Sequence, residues 1–194
     1  MRALHSRDLT GCAMTYASVL DWPIAVGHRY RRTGGCTCQD TDPGGLCPAP
    51  GAHPRAIPVE PLAADAVATA FDQAPGASII AACGLFDVIT LPYLLGAGLM
   101  VRLDRLPVHT PCLMTGQARA SLLVSPGTAR ELSGYAGVTV RSGTHGWVAL
   151  PPSHQTRWDT APEPGQPLPR AGDLDPHLQR VAEIASREAK RPTS

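Results

Sequence analysis

The sequence predicts an α+β fold built on a mixed or antiparallel sheet. Three observations carry that expectation. Short runs rich in aliphatic and β-branched residues, such as residues 77–83 (ASIIAAC) and 86–91 (FDVITL), have the length and composition of strands. Helical segments fall between them without regular alternation, which disfavours a doubly wound parallel sheet. Finally, residues 35–54 (GCTCQDTDPGGLCPAPGAHP) form a Gly/Pro-rich loop with almost no apolar residues, so something other than a hydrophobic core must fix its shape.

The elements follow in order. Residues 9–21 (LTGCAMTYASVLD) suit a helix ending before Trp22-Pro23, because proline disfavours helix in the residue before it. Residues 22–26 (WPIAV) read as a short strand leading into the cysteine loop. Residues 61–70 (PLAADAVATA) are Ala-rich and helical, with Pro61 suited to a first turn. The strands 77–83 and 86–91 come next, then a helix over 94–106 despite its glycines. Strands are expected at 111–114 and 119–124 (RASLLV), and a short helix at 127–135 with Thr128 as N-cap. Residues 138–141 (VTVR) and 146–150 (GWVAL) look like the arms of a hairpin across Ser142-Gly143-Thr144-His145. A last extended piece, 156–159, pairs back. Residues 160–173 (TAPEPGQPLPRAGD) are linker-like and 175–188 are a polar-rich helix. A chain of 194 residues then divides into one domain, 1–160, and a tail, 161–194, of Pro-rich linker and helix.

Composition narrows the function classes. The chain is 43% hydrophobic, enough for a core, and its net charge of +1 gives no global basic field to draw in nucleic acid. No stretch has the charged-then-apolar layout of a signal peptide. The longest apolar run, 91–103, is broken by Pro92, Gly96, Gly98 and Arg102 and is too short to span a bilayer. No membrane partner is expected. A reducing cytoplasm follows, where clustered cysteines favour metal over disulfide. Cys12, Cys83 and Cys112 lie apart in apolar settings and read as small core fillers.

The cysteine loop is the most informative segment. Cys36, Cys38, Cys47 and His53 have the spacing C-x-C-x8-C-x5-H. Thiolate and imidazole are the ligands zinc prefers, and a Cys3His set closes its tetrahedron, so the site would be structural. The spacing is not among the commonest finger patterns, and free thiols, a disulfide pair or a relic loop without metal are the other readings. Arg119 and Arg141 could hold a phosphate through bidentate hydrogen bonds or serve in surface salt bridges.

Trp22-Pro23-Ile24, the Cys-x-Cys pair, Cys47 and Pro50-Gly51-Ala52-His53-Pro54 resemble the N-terminal part of the bifunctional DNA primase/polymerase (prim-pol) domain of the archaeo-eukaryotic primase superfamily. A second anchor lies in Val140-Arg141-Ser142-Gly143, then residues 146–153 (GWVALPPS) and Arg157-Trp158. Together they cover roughly residues 12–160. The resemblance implies a primase-like α+β core binding nucleoside triphosphates, a DNA template and Mg or Mn. It also implies an Asp-x-Asp pair on one strand, a third acid on a later strand, and a Ser/Gly-x-His motif on the nucleotide phosphates.

This chain departs from that pattern. In register, Thr90 and Pro92 stand where the acidic pair belongs, Ser121 replaces the histidine and Thr139 the third acid. None supplies the carboxylate a hard cation needs. Asp87 is the one nearby carboxylate, and the residues favour a strand-edge or turn role for it. His109, His145 and His154 read as surface histidines in loops. The resemblance therefore implies a catalytically degenerate domain. It would carry structural zinc and would bind a nucleotide, DNA or a protein partner, with Arg119, Ser121 and Arg141 as phosphate contacts and no catalytic residue. The alternatives are an active, Mg- or Mn-dependent polymerase in DNA replication with Asp87 as a ligand, a zinc-loop interaction module, and, less favoured, a Cys36/His53 nucleophilic dyad.

Overall fold

The computed structural model describes residue 4 and residues 6–116 and 118–189. It is an α+β fold of four α-helices and two sheets among those residues, with every strand pairing antiparallel. The first sheet has the order β2-β1-β3-β8, from β1 (Ile24–Arg31), β2 (Gly35–Cys36), β3 (Ala77–Ala82) and β8 (Trp147–Leu150). The second has the order β7-β4-β6-β5-β9, from β4 (Asp87–Pro92), β5 (Cys112–Thr115), β6 (Arg119–Val124), β7 (Thr139–Arg141) and β9 (Thr156–Thr160). No helix among the described residues is long and apolar enough to cross a membrane.

Helix α1 (Leu9–Ser18) starts where the Asp8 carboxylate accepts the Gly11 N–H at 3.0 Å, satisfying one of the otherwise orphan donors of a first turn. It ends earlier than 21 because Asp21 takes a positive φ of 56° to turn the chain into β1. Helix α2 (Val67–Asp72) follows a 3-10 turn over Ala64–Ala66, later than its expected start. These two helices cover one face of the first sheet. There Cys12, Ala13, Tyr16, Val67 and Phe71 pack on Ile24, Ile79, Ala81 and Leu150. Five of the nine aromatic residues lie in this core, and three of them surround Trp22, which is 4.9 Å from Phe86, 5.8 Å from Tyr16 and 6.4 Å from Trp158. The Tyr16 hydroxyl accepts the Trp158 indole N–H at 2.7 Å and donates to the Pro151 carbonyl at 3.0 Å. Tyr16→Phe would leave both partners buried and unpaired. A loss of about 1–3 kcal/mol in urea unfolding is expected, with no change in metal content.

Helices α3 (Tyr93–Leu103) and α4 (Ala171–Ala189) cover the other face of the second sheet through Leu99, Met100, Leu103, Leu174 and Leu178. Gly96 sits mid-helix because a Cβ there would lie 2.2 Å from the Ala120 Cβ, so its absence lets α3 rest directly on β6. Strand alternation sets the chemistry of the second sheet. Ile89, Leu91, Ala120 and Leu122 point to the α3/α4 side, whereas Val88 and Leu123 point to the core shared with the first sheet. On that second side the outer positions, Thr90, Thr115, Arg119, Ser121, Thr139 and Arg141, are polar and border a cleft.

Two expectations are corrected. Residues 138–141 and 146–150 do not form a hairpin: β7 pairs with β4 in one sheet, and β8 with β3 in the other. The intervening 3-10 turn, Gly143–His145, carries the chain between sheets. The physical reason is burial. Val148, Ala149 and Leu150 are buried, and β3, buried along its whole length, gives them a partner in the interior. Residues 160–173 are not a free linker. Ser125 binds the Leu168 and Pro169 carbonyls at 2.7 and 2.8 Å, and Thr128 Oγ1 accepts the Ala171 N–H at 3.1 Å. Helix α4 therefore starts earlier than 175, and its apolar face belongs to the same core as α3.

Candidate metal centre and the adjoining cleft

The four predicted ligands converge. The β1–β2 hairpin, with Tyr30 opposite Cys36, sets Cys36 at the end of β2. A 3-10 turn over Thr37–Asp40 then returns Cys38 beside it. The chain comes back with Cys47 and passes through Gly51, where φ is +66° and a Cβ would lie 2.4 Å from the Tyr30 nitrogen. Only glycine fits so strained and so close a crossing. His53 is pinned beyond it, its carbonyl accepting the His28 N–H at 3.0 Å and Pro54 bridging Gly27.

The ligand atoms of Cys36, Cys38, Cys47 and His53 all lie within 4.8 Å of one another, and this group could hold a metal ion. His53 Nε2 is 3.3 Å from both the Cys36 and the Cys47 sulfur. Bonds of about 2.3 Å to sulfur and 2.0 Å to nitrogen give a tetrahedral edge of roughly 3.5 Å, so the donor set fits one small ion. His53 Nδ1 donates to the Pro54 carbonyl at 3.0 Å, which fixes the tautomer and leaves the Nε2 lone pair aimed at the sulfurs.

The thiols show what a cation would supply. Burial raises the Cys36 pKa, but the backbone N–H groups of Cys38 and Gly51 and the side chains of Cys38 and His53 outweigh it and bring the thiol down to about 7. Burial pushes Cys38 up to about 12, with Cys36 and Cys47 adding to it. Cys47 is raised too, chiefly by burial. One thiolate is favoured among the three, and two more need a positive charge between them. A Cys36/His53 dyad gains no support from this arrangement, because His53 is shared equally between two sulfurs.

A cleft of about 340 Å³ adjoins the centre. The second sheet supplies Thr90, Arg119, Ser121, Thr139 and Arg141, and the first sheet supplies Trp147 and Ala149 from β8. The metal loop closes one side with Ala49, Pro50 and Ala52. Thr90 is in register with both Ser121 and Thr139, and its hydroxyl lies 2.9 Å from that of Ser121. Three of the four positions where the resemblance places acids or histidine are thus adjacent on three neighbouring strands. The fourth, Pro92, ends β4 opposite Arg119, immediately before α3, and does not line the cleft.

Among the described residues no aspartate or glutamate lines this cleft. Arg119 donates to the carbonyls of Gly137 at 2.9 Å and Thr90 at 3.4 Å. Arg141 donates to the Trp147 carbonyl at 3.1 Å, with its guanidinium 3.9 Å over the indole. Among the described residues neither arginine makes an ion pair. Their positive charges therefore face the cleft without a carboxylate partner, and the salt-bridge reading of both falls away.

Asp87 is a buried strand residue, not an edge or turn one. Its carboxylate accepts the Ala129 N–H at 3.2 Å, three positions along β4 from Thr90 and on the opposite face. His145 is exposed, as expected of a surface histidine. His109 is half-buried and bonds the Ala161 carbonyl at 2.9 Å. His154 departs further from expectation: it lines the cleft, with its ring stacked on Tyr30 at 4.0 Å. Sequence reasoning missed Trp147, Thr115, His154 and the loop wall as cleft residues. The one available signal was Arg141 lying six positions before Trp147. No protein-family model, curated protein or solved structure matches the chain.

Proposed function

We propose that this chain is a prim-pol-like domain that has lost nucleotidyl transfer and keeps a binding role. In this reading Cys36, Cys38, Cys47 and His53 hold a structural zinc ion, and the cleft takes the phosphates of a nucleotide or of a DNA strand without a divalent cation. The observation that carries it is the lining of the cleft: among the described residues, two arginines free of ion pairs and no carboxylate. Guanidinium groups match phosphate oxygens in geometry and charge. Two-metal phosphoryl transfer, in contrast, needs acids to hold its cations. The adjacency of Thr90, Ser121 and Thr139 supports the family register read from the sequence. Asp87 on the opposite face disfavours the active-polymerase reading.

The sulfur-rich, four-ligand centre suits zinc. With all four positions filled by protein, the ion would hold the loop and leave no site for water or substrate. The test pairs binding with activity. Deoxynucleoside triphosphates in magnesium-free buffer should raise the thermal midpoint of the zinc-loaded protein by a few degrees, about what ligand at a hundred times its Kd gives. A primed template with manganese should remain unextended. Extension that disappears in Asp87→Ala would overturn the proposal.

A further inference from the structure

We infer that the metal centre gates the cleft: a metal ion at Cys36, Cys38, Cys47 and His53 sets the wall against which a polyphosphate is held, so the two bind cooperatively. This rests on the reading of the cleft as a phosphate site. The coupling lies in one tight turn. The Ala52 N–H donates to the Ala49 carbonyl at 3.0 Å, closing residues 49–52. The turn's backbone is tied to the metal ligands in two ways. The Gly51 N–H donates to the Cys36 sulfur at 3.2 Å, and the turn lies in the chain between the ligands Cys47 and His53. Its side chains Ala49, Pro50 and Ala52 face the cleft that Arg119 and Arg141 enter from the opposite sheet.

A metal ion that draws Cys36, Cys47 and His53 to one point fixes both ends of the turn and the sulfur that the Gly51 N–H binds. Loading the metal thus fixes both tethers and the wall they carry. A second link runs the same way. Gly51 rests on the backbone of Tyr30, and Tyr30 stacks on His154 inside the cleft. Coupling of two binding equilibria is reciprocal, so a bound polyphosphate also tightens the metal.

The experiment titrates dATP into zinc-loaded protein and into protein stripped by a chelator and dialysed, both without magnesium. Affinity should fall by about tenfold or more on stripping and return with one equivalent of zinc. A second variant guards against simple unfolding. Ala49→Glu keeps all four ligands but adds a negative charge to the wall. It should retain one zinc per chain and lose about tenfold in dATP affinity. Equal affinity with and without zinc, or full affinity in Ala49→Glu, overturns the gating and leaves the phosphate reading standing. Absence of dATP binding to the zinc-loaded protein overturns both.

Discussion

Stripping zinc from the protein should release residues 34–55, the edge strand β2 with them, while the other strands of both sheets stay folded. The loop has no apolar core of its own: Leu46 is 99% exposed, and Cys36 is the one buried ligand. The three clusters of buried apolar residues draw almost wholly on other segments. Hydrogen exchange should therefore show protection lost at Gly51 and Ala52 but kept along β3 and β6. Cys36→Ser should behave like the stripped protein. The pH dependence follows from the thiols. Cys36, at about 7, is largely ionised at pH 8, whereas Cys38, at about 12, and the raised Cys47 still carry protons. Zinc must displace those protons, so its affinity rises with pH and weakens as acid returns them. Calorimetry in buffers of different ionisation heat should read a release of about two protons per zinc at pH 8. Uptake without proton release would mean that the thiols are not the ligands.

Removing the cleft's positive charge should have the second large effect. Arg119→Ala and Arg141→Ala should each weaken dATP binding by roughly 10- to 100-fold, about 1.4–2.7 kcal/mol, the range of one or two charge-assisted bonds. The double variant should lose detectable binding. Arg141→Lys should recover only part of the affinity, because an ammonium lacks the planar fork that both grips phosphate and lies over Trp147. Thermal midpoints of the same variants separate lost binding from lost stability.

The metal loop was legible because donor chemistry is local. Three cysteines and a histidine within residues 36–53, among Gly and Pro, have few ways to persist together. Strand cores such as residues 77–82 and 119–124 were legible because their aliphatic character demands burial. The false hairpin shows where local reading fails. Ser142-Gly143-Thr144-His145 carries turn signals, but a turn does not say whether the next strand pairs with the last one or with a strand of another sheet. That choice is made by β3, some 65 residues earlier in the chain. Residues 160–173 misled for a related reason. Their prolines suit an extended strap as well as a linker, and the docking partners Ser125 and Thr128 are remote in sequence. The cleft itself is assembled from both sheets and the loop, so no window of sequence contains it.

The most direct test of a cleft without carboxylates is a calorimetric titration of zinc-loaded protein with dATP, with and without excess magnesium. Arginine-held phosphates predict binding that is no weaker in the magnesium-free buffer, because free dATP keeps the charge that magnesium would mask. Binding that appears only when magnesium or manganese is added, and vanishes in Asp87→Ala, would place a cation at Asp87 in the nucleotide site and would contradict the account.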